Sequence, residues 1–289
     1  MSTFVLQHGP NGPGDFVTAF REYGADVTTS TSPDSGAVRV TPTDGQEPVV
    51  PDGATTTPVA RGSWSGTDRY GVDTVSLDGD HVVQAVYRHR VDPDRPTVLR
   101  HRITVPDSAE REAVSRLARE ALDLAGIRSG AGHVTVEGDP DGLRCTSVLD
   151  SPSHWPVPAD LSFHAYGHSH QHLLAESLLQ PEAFARRVKR APRDCGSVLA
   201  LAYLTGTPED AITNPDISLL VRHLPGFAGI VRSPGAAGTP LEDVWGYVAF
   251  VHTDEPLVQQ SLTILHELAA SGQLWGGSRT YIDFNGRVS

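Results

Sequence analysis

The chain has 289 residues, 38% hydrophobic and 20% charged, with 35 acidic against 23 basic side chains and a formal net charge of -12. That length supports a substantial core, the composition excludes a disordered chain, and the scattered Lys and Arg argue against nucleic acid or an anionic membrane surface as a partner. No apolar run is long enough to span a bilayer and no basic segment leads an apolar one at the start, so the cytoplasm is the expected location. The two cysteines, Cys145 and Cys195, read as reduced structural residues.

Residues 4 to 60 hold short apolar pieces, Phe4 to Leu6 and Gly36 to Val40, among Gly, Pro, Ser, Thr and Asp. Gly9 to Gly14 is a loop by composition, Phe16 to Tyr23 has room for one or two helical turns, and residues 28 to 58 read as an exposed flap. From Gly71 the pattern strengthens into two strands, Gly71 to Gly79 and His81 to Arg90, about an Asp78-Gly79 turn. Asp107 to Glu110 resembles a capping box. Val114, Leu117, Ala118, Ala121, Leu122 and Ala125 then recur at helical spacing until Gly126 stops the segment.

A second hairpin follows. Alternation over His133 to Glu137 and Leu143 to Leu149 flanks Asp139-Pro140-Asp141-Gly142, whose Pro and Gly favour a tight antiparallel turn. Helices are expected over Ser169 to Leu179 and Pro181 to Arg190, strands over Val198 to Thr205 and Trp245 to His252, and shorter strands over Ile217 to Leu224 and Gly229 to Arg232. Glu255 to Ser271 reads as an amphipathic helix stopped by Gly272. Antiparallel sheet mixed with helices makes the fold class α+β, with α/β as the neighbouring reading.

Histidines crowd one place: His164, His168, His170 and His172 fall within nine positions, with His154 shortly before. On one continuous helix His168 and His172 stand one turn apart, a spacing that chelates a divalent metal. Acid–base chemistry near neutral pH and plain capping or solvent roles explain the same residues. Asp150, Ser151 and His154 are candidate substrate-binding groups, and Ser151 with His154 forms a weak nucleophile-and-base pattern. Arg100, Arg102 and Arg128 are candidates to meet an anionic ligand, and His133 reads as a structural histidine of the hairpin entry.

Three segments together resemble the ATP-grasp superfamily, particularly its carboxylate-amine ligases that join amino acids: Gly66 to Ser76, Leu124 to His133, and Ala165 to His170 with Leu179 to Phe184. The resemblance runs from about Phe4 to Leu274. It implies a module of mainly antiparallel sheet packed with helices, residues 1–65 as a remnant of the small lid subdomain with its flap and 66–289 as the core. The usual N-terminal α/β substrate domain is expected to be missing. The family's phosphate-holding lysine corresponds to Gln7, and the acidic residue of its Gly-x-Glu-Tyr stretch to Arg69. Its metal-binding glutamates correspond to Thr135 and Ser147, its asparagine to Leu149 and its substrate-holding arginine to Ser151. Mg²⁺ bridging ATP phosphates needs carboxylate oxygens there. Glu137 and Asp150 are the carboxylates left in the hairpin.

The resemblance with these departures leads to the expectation of a degenerate ATP-grasp-like protein of amino-acid or specialised small-molecule metabolism. It would bind a small amino-acid-derived molecule or serve as a partner subunit, as a homodimer or beside a full-length ligase, with no cofactor and no use of Mg·ATP. Two alternatives stay open: an ATP-independent enzyme that uses the histidines for acid–base or divalent-metal chemistry, and an active ATP-dependent ligase.

Overall fold

Helix α1 (Gly14–Glu22) opens the computed structural model, which describes residues 14–23, 25–29, 38–42, 69–91, 100–106, 108–139, 142–150, 157–188, 196–205, 215–232, 244–271 and 274. Strands β1 (Ala25–Thr29) and β2 (Val38–Pro42) follow as an antiparallel pair; β2 and the end of β1 fall in the stretch 28 to 58 expected to be a flap. Phe4 to Leu6, Gly9 to Pro13, the remainder of the flap, the boundary at 65/66, Cys195, Trp64, Trp155 and Trp275 lie outside the described residues.

Strands β3 (Arg69–Leu77) and β4 (Asp80–Val91) form the first expected hairpin. Asp78 (φ 56°) and Gly79 (φ 93°) both take positive φ, the two-residue turn whose twist matches that of antiparallel strands. The turn is clamped from outside: Gly79 N–H donates to Arg128 O at 2.8 Å, Arg128 Nη2 to Asp78 O at 2.6 Å, and Asp78 N–H to Ser129 Oγ at 3.2 Å. Strand β5 (Arg100–Thr104) was not foreseen, because its Arg-His-Arg-Ile-Thr sequence offers one apolar residue and no alternation.

Helix α2 (Ala109–Leu124) starts at Ser108, whose Oγ caps it by accepting from Arg111 N–H; Asp107 lies outside the described residues. It ends with Gly126 in the left-handed region and Ile127 N–H donating back to Leu122 O at 3.0 Å, which satisfies a carbonyl the helix leaves open. Strands β6 (Gly130–Asp139) and β7 (Gly142–Leu149) then make the second hairpin.

The histidine-rich stretch differs from expectation. It holds two helices, α3 (Ala159–Tyr166) and α4 (His170–Leu179), because Gly167 adopts φ 72° and Ser169 caps a fresh start by accepting from His172 N–H at 3.1 Å. His168 lies in the link, so it and His172 do not stand one turn apart on a helical face. Helix α5 (Pro181–Val188) and strand β8 (Val198–Thr205) match their expected spans closely. The expected strand Ile217 to Leu224 is instead helix α6 (Pro215–Arg222), in which Val221 is buried while Leu219 and Leu220 are exposed; a short apolar run cannot be assigned by period alone. Strands β9 (Phe227–Arg232) and β10 (Val244–His252) and helix α7 (Glu255–Ala270) complete the chain.

All eight main strands join one antiparallel sheet in the order β7-β6-β3-β4-β5-β8-β10-β9. Both faces are covered. On one, Tyr70, Val72, Val86, Val134 and Val136 pack against Val114, Ala118 and Leu122 of α2, while Ile103, Ala200, Leu204, Val248 and Phe250 pack against α7 through Val258, Leu262 and Leu265. On the other, Tyr87, Leu199, Leu201, Tyr203, Tyr247 and Ala249 meet Leu161, Ala165 and Tyr166 of α3. Farther along that face Val75, Leu77 and Ala131 meet Phe20 of α1, Leu173, Leu174 and Leu178 of α4 and Phe184 of α5. In this α+β arrangement the polar side chains gather on the α3 face of β3, β4 and β6.

Candidate functional site

Period-2 alternation brings residues from five strands into rows on the α3 face. Across the hairpin, Thr135 stands opposite Ser147, His133 opposite Leu149 and Glu137 opposite Arg144. Strand β3 continues each row with Gly71 beside Thr135, Asp73 beside His133 and Arg69 beside Glu137. Strand β4 adds Tyr87 beside Gly71 and His89 beside Arg69, and β5 adds Arg102 beside His89.

Asp73 and His133 form the central contact, with Asp73 Oδ1 and His133 Nδ1 2.7 Å apart. Asp73 is buried, which by itself raises a carboxyl pKa. The hydrogen bond and charge of His133, with His170 and Arg102 behind, outweigh the burial and bring Asp73 down from 3.8 to about 2. Asp73 therefore holds the ring by its Nδ1 side and leaves Nε2 turned away from the carboxylate.

Arg102 is buried beneath this cluster. Its guanidinium carbon lies 4.7 Å from the Tyr87 ring centroid and 6.0 Å from that of Tyr203. Burial works against its charge, but Tyr203, Tyr87 and Asp73 more than compensate and its pKa is raised. Burial raises the phenols of Tyr87 and Tyr203. His89 is pushed well below the usual histidine range, first by burial, then by Arg102, His133 and Arg69, so it is neutral at pH 7.

The carboxylate Glu137, one of two expected to survive in the hairpin, is engaged: Arg144 Nη2 lies 3.0 Å from Oε2 and Arg69 Nε 3.9 Å from Oε1. Asp150 follows the end of β7 and is half-buried. Gln7, Ser151 and His154 lie outside the described residues. Among the described residues no group of three or more His, Cys, Asp or Glu side chains is arranged to hold a metal ion.

The four clustered histidines do not converge. His164 is exposed on α3. His168 Nδ1 donates to Tyr166 O at 2.9 Å, and burial lowers its pKa. His170 Nε2 donates to Thr74 O at 2.8 Å, which fastens α4 to β3. His172 is held between Ser169 Oγ at Nδ1 and Glu22 Oε2 at Nε2, each 2.7 Å away, tying α4 to α1. Three of the four thus make structural hydrogen bonds.

Sequence reasoning passed over Asp73, His89 and the place of Arg102. The signal was there: Arg69, Gly71 and Asp73 share a parity, as do Tyr87 and His89. Only the pairing register brings those odd positions beside His133.

No family model and no curated protein matches the chain. Solved structures do. An L-amino acid ligase from Bacillus licheniformis superposes with a TM-score of 0.53 at 12% identity over 71% of this chain and 53% of its own. An N5-carboxyaminoimidazole synthase from Aspergillus clavatus, in complex with ADP and 5-aminoimidazole ribonucleotide, gives 0.52 at 10% over 72% and 53%. The ATPase subunit of a phosphoribosylaminoimidazole carboxylase from Aquifex aeolicus gives 0.50 at 10% over 71% and 57%. The chain spans a little over half the length of each of these proteins, and at such identities the likeness concerns the fold. Over about 70% of its length, then, this chain has the fold of the ATP-grasp ligases.

Proposed function

We propose that the chain is a small-molecule-binding module of amino-acid or specialised small-molecule metabolism that uses the ATP-grasp fold without Mg·ATP-dependent ligation. The observation that carries the reading is the paired Thr135 and Ser147 at the middle of the β6–β7 hairpin. These are the positions matched by resemblance to two metal-binding glutamates. Neutral hydroxyls opposite each other do not supply the anionic oxygens that draw Mg²⁺ and its bridged phosphates out of water. The neighbouring Glu137 does not replace them, because Arg144 and Arg69 already neutralise it. Arginine in place of an acidic residue at position 69 repels a cation at the same rim.

The L-amino acid ligase and the ribonucleotide-bound synthase among the similar structures suggest the scale of the ligand, a metabolite with amino or carboxylate groups. Thermal unfolding with ATP, with and without Mg²⁺, tests the reading. The expected result is an unchanged melting temperature in both cases; a rise that needs Mg²⁺ would contradict it.

A further inference from the structure

We propose that His133, backed by Asp73, is a general base that takes a proton from a small ligand on the half-open face of the β6–β7 hairpin, a compact molecule bearing a hydroxyl, an amine or an activated C–H. The inference goes beyond the binding role above and does not depend on it. Its first support is the arrangement of the pair. Asp73 and His133 stand directly opposite each other on β3 and β6, which is why the carboxylate reaches Nδ1 at 2.7 Å. Asp73 is ionised at neutral pH and can only accept, so the shared proton sits on Nδ1 and the neutral ring carries its lone pair at Nε2. A general base needs such a lone pair, and the imidazolium formed when it takes a proton faces a fixed negative charge.

The second support is exposure. A sealed ring serves a purely structural contact as well as an open one, but the His133 side chain keeps 14% of its surface exposed while Asp73 keeps 3%. The ring is also fixed from its far side: a methyl group on Gly71 would lie 3.1 Å from His133 Cε1 and 2.8 Å from His89 Nε2, with His133 Nε2 farther off at 3.6 Å. The carboxylate on one side and the packing over Gly71 on the other hold the imidazole in one orientation. Along the same face, Thr135 and Ser147 supply half-buried hydroxyls that can orient a ligand. The third support is the backbone. The β3–β4 register shifts between Asp73 and Thr74, leaving Gln84 as an extra residue, and the β6–β7 register shifts between Thr135 and Val136, leaving Thr146. Bulges thus bracket the pair, and bulges recur beside active sites, where they re-aim side chains.

The test uses two reagents on the full chain, with chelator present. Diethyl pyrocarbonate carbethoxylates accessible imidazole nitrogens and should label His133, as mapped by mass spectrometry. 5-Nitrobenzisoxazole reports proton removal: Nε2 takes the proton of the isoxazole C–H, that C–H electron pair completes a nitrile, and the N–O bond breaks with its pair going to a coloured phenolate. The parent should open this probe at a saturable rate, His133→Gln should lower kcat/KM by about tenfold or more, and His164→Gln should leave it unchanged. Asp73→Asn should lower kcat with KM unchanged, a split that a merely structural role would not produce. If His133→Gln does not fold, carbethoxylation of the parent should abolish turnover, and hydroxylamine, which strips the label from imidazole, should restore it. A His133 that resists labelling, or proton removal indifferent to both the substitution and the label, overturns the proposal. Mg·ATP enters neither reaction, so that failure leaves the binding function standing.

Discussion

Replacing Asp73 by Asn keeps an oxygen in place for His133 but removes the charge that makes the contact strong. The carboxyl stands at about 2 in the folded chain against 3.8 when free. At about 1.36 kcal/mol for each pKa unit, that gap corresponds to about 2 kcal/mol of stability at neutral pH. Because the folded pKa is the lower one, this contribution is fully present above pH 3.8 and is lost as the pH falls towards 2. Roughly half of it should be gone by pH 3. Urea unfolding of the parent and of Asp73→Asn across pH 7 to 3 measures the effect. The variant should be less stable by about 2–3 kcal/mol at pH 7, and the difference should shrink to about half at pH 3. A difference below about 0.5 kcal/mol at pH 7, or one that does not change with pH, would refute the charged Asp73–His133 contact.

Two glycines separate crowding from backbone strain. A methyl at Gly132 would meet Thr74 Oγ1 at 2.7 Å and Leu122 Cδ2 at 3.0 Å, so Gly132→Ala should lower stability by about 1–3 kcal/mol in chemical denaturation. Gly167→Ala meets nothing within 4 Å but must hold φ 72°, and a smaller loss of about 1 kcal/mol is expected. Ser108→Ala removes the cap of α2 and should cost ~1 kcal/mol, while Ser108→Asp should restore it.

Much of the fold was legible where local chemistry is strong. The Asp78-Gly79 turn, the stop at Gly126 and the alternation of β8 and β10 each follow from a few neighbouring residues. Strand β5 was hidden because its polar side chains are stabilised by partners from other strands, as when Arg102 packs on Tyr87 and Tyr203. Helix α6 was mistaken for a strand because eight residues span too few turns to show a period clearly.

The site was less legible than the fold, and for a related reason. Four histidines close in sequence suggested one centre, but the left-handed Gly167 and the cap at Ser169 turn them towards Tyr166, Thr74 and Glu22. The residues that do meet, Asp73 and His133, are 60 positions apart, and His89 joins them only through the β3–β4 register. Resemblance singled out the hairpin, and there the register sets Thr135 opposite Ser147.

The most direct test of the central claim is a calorimetric titration of the full chain with ATP in the presence of Mg²⁺. The Thr135–Ser147 hairpin, with Glu137 held by two arginines, predicts no saturable heat. A stoichiometric, Mg²⁺-dependent binding isotherm followed by release of ADP when amino acids are added would contradict the account.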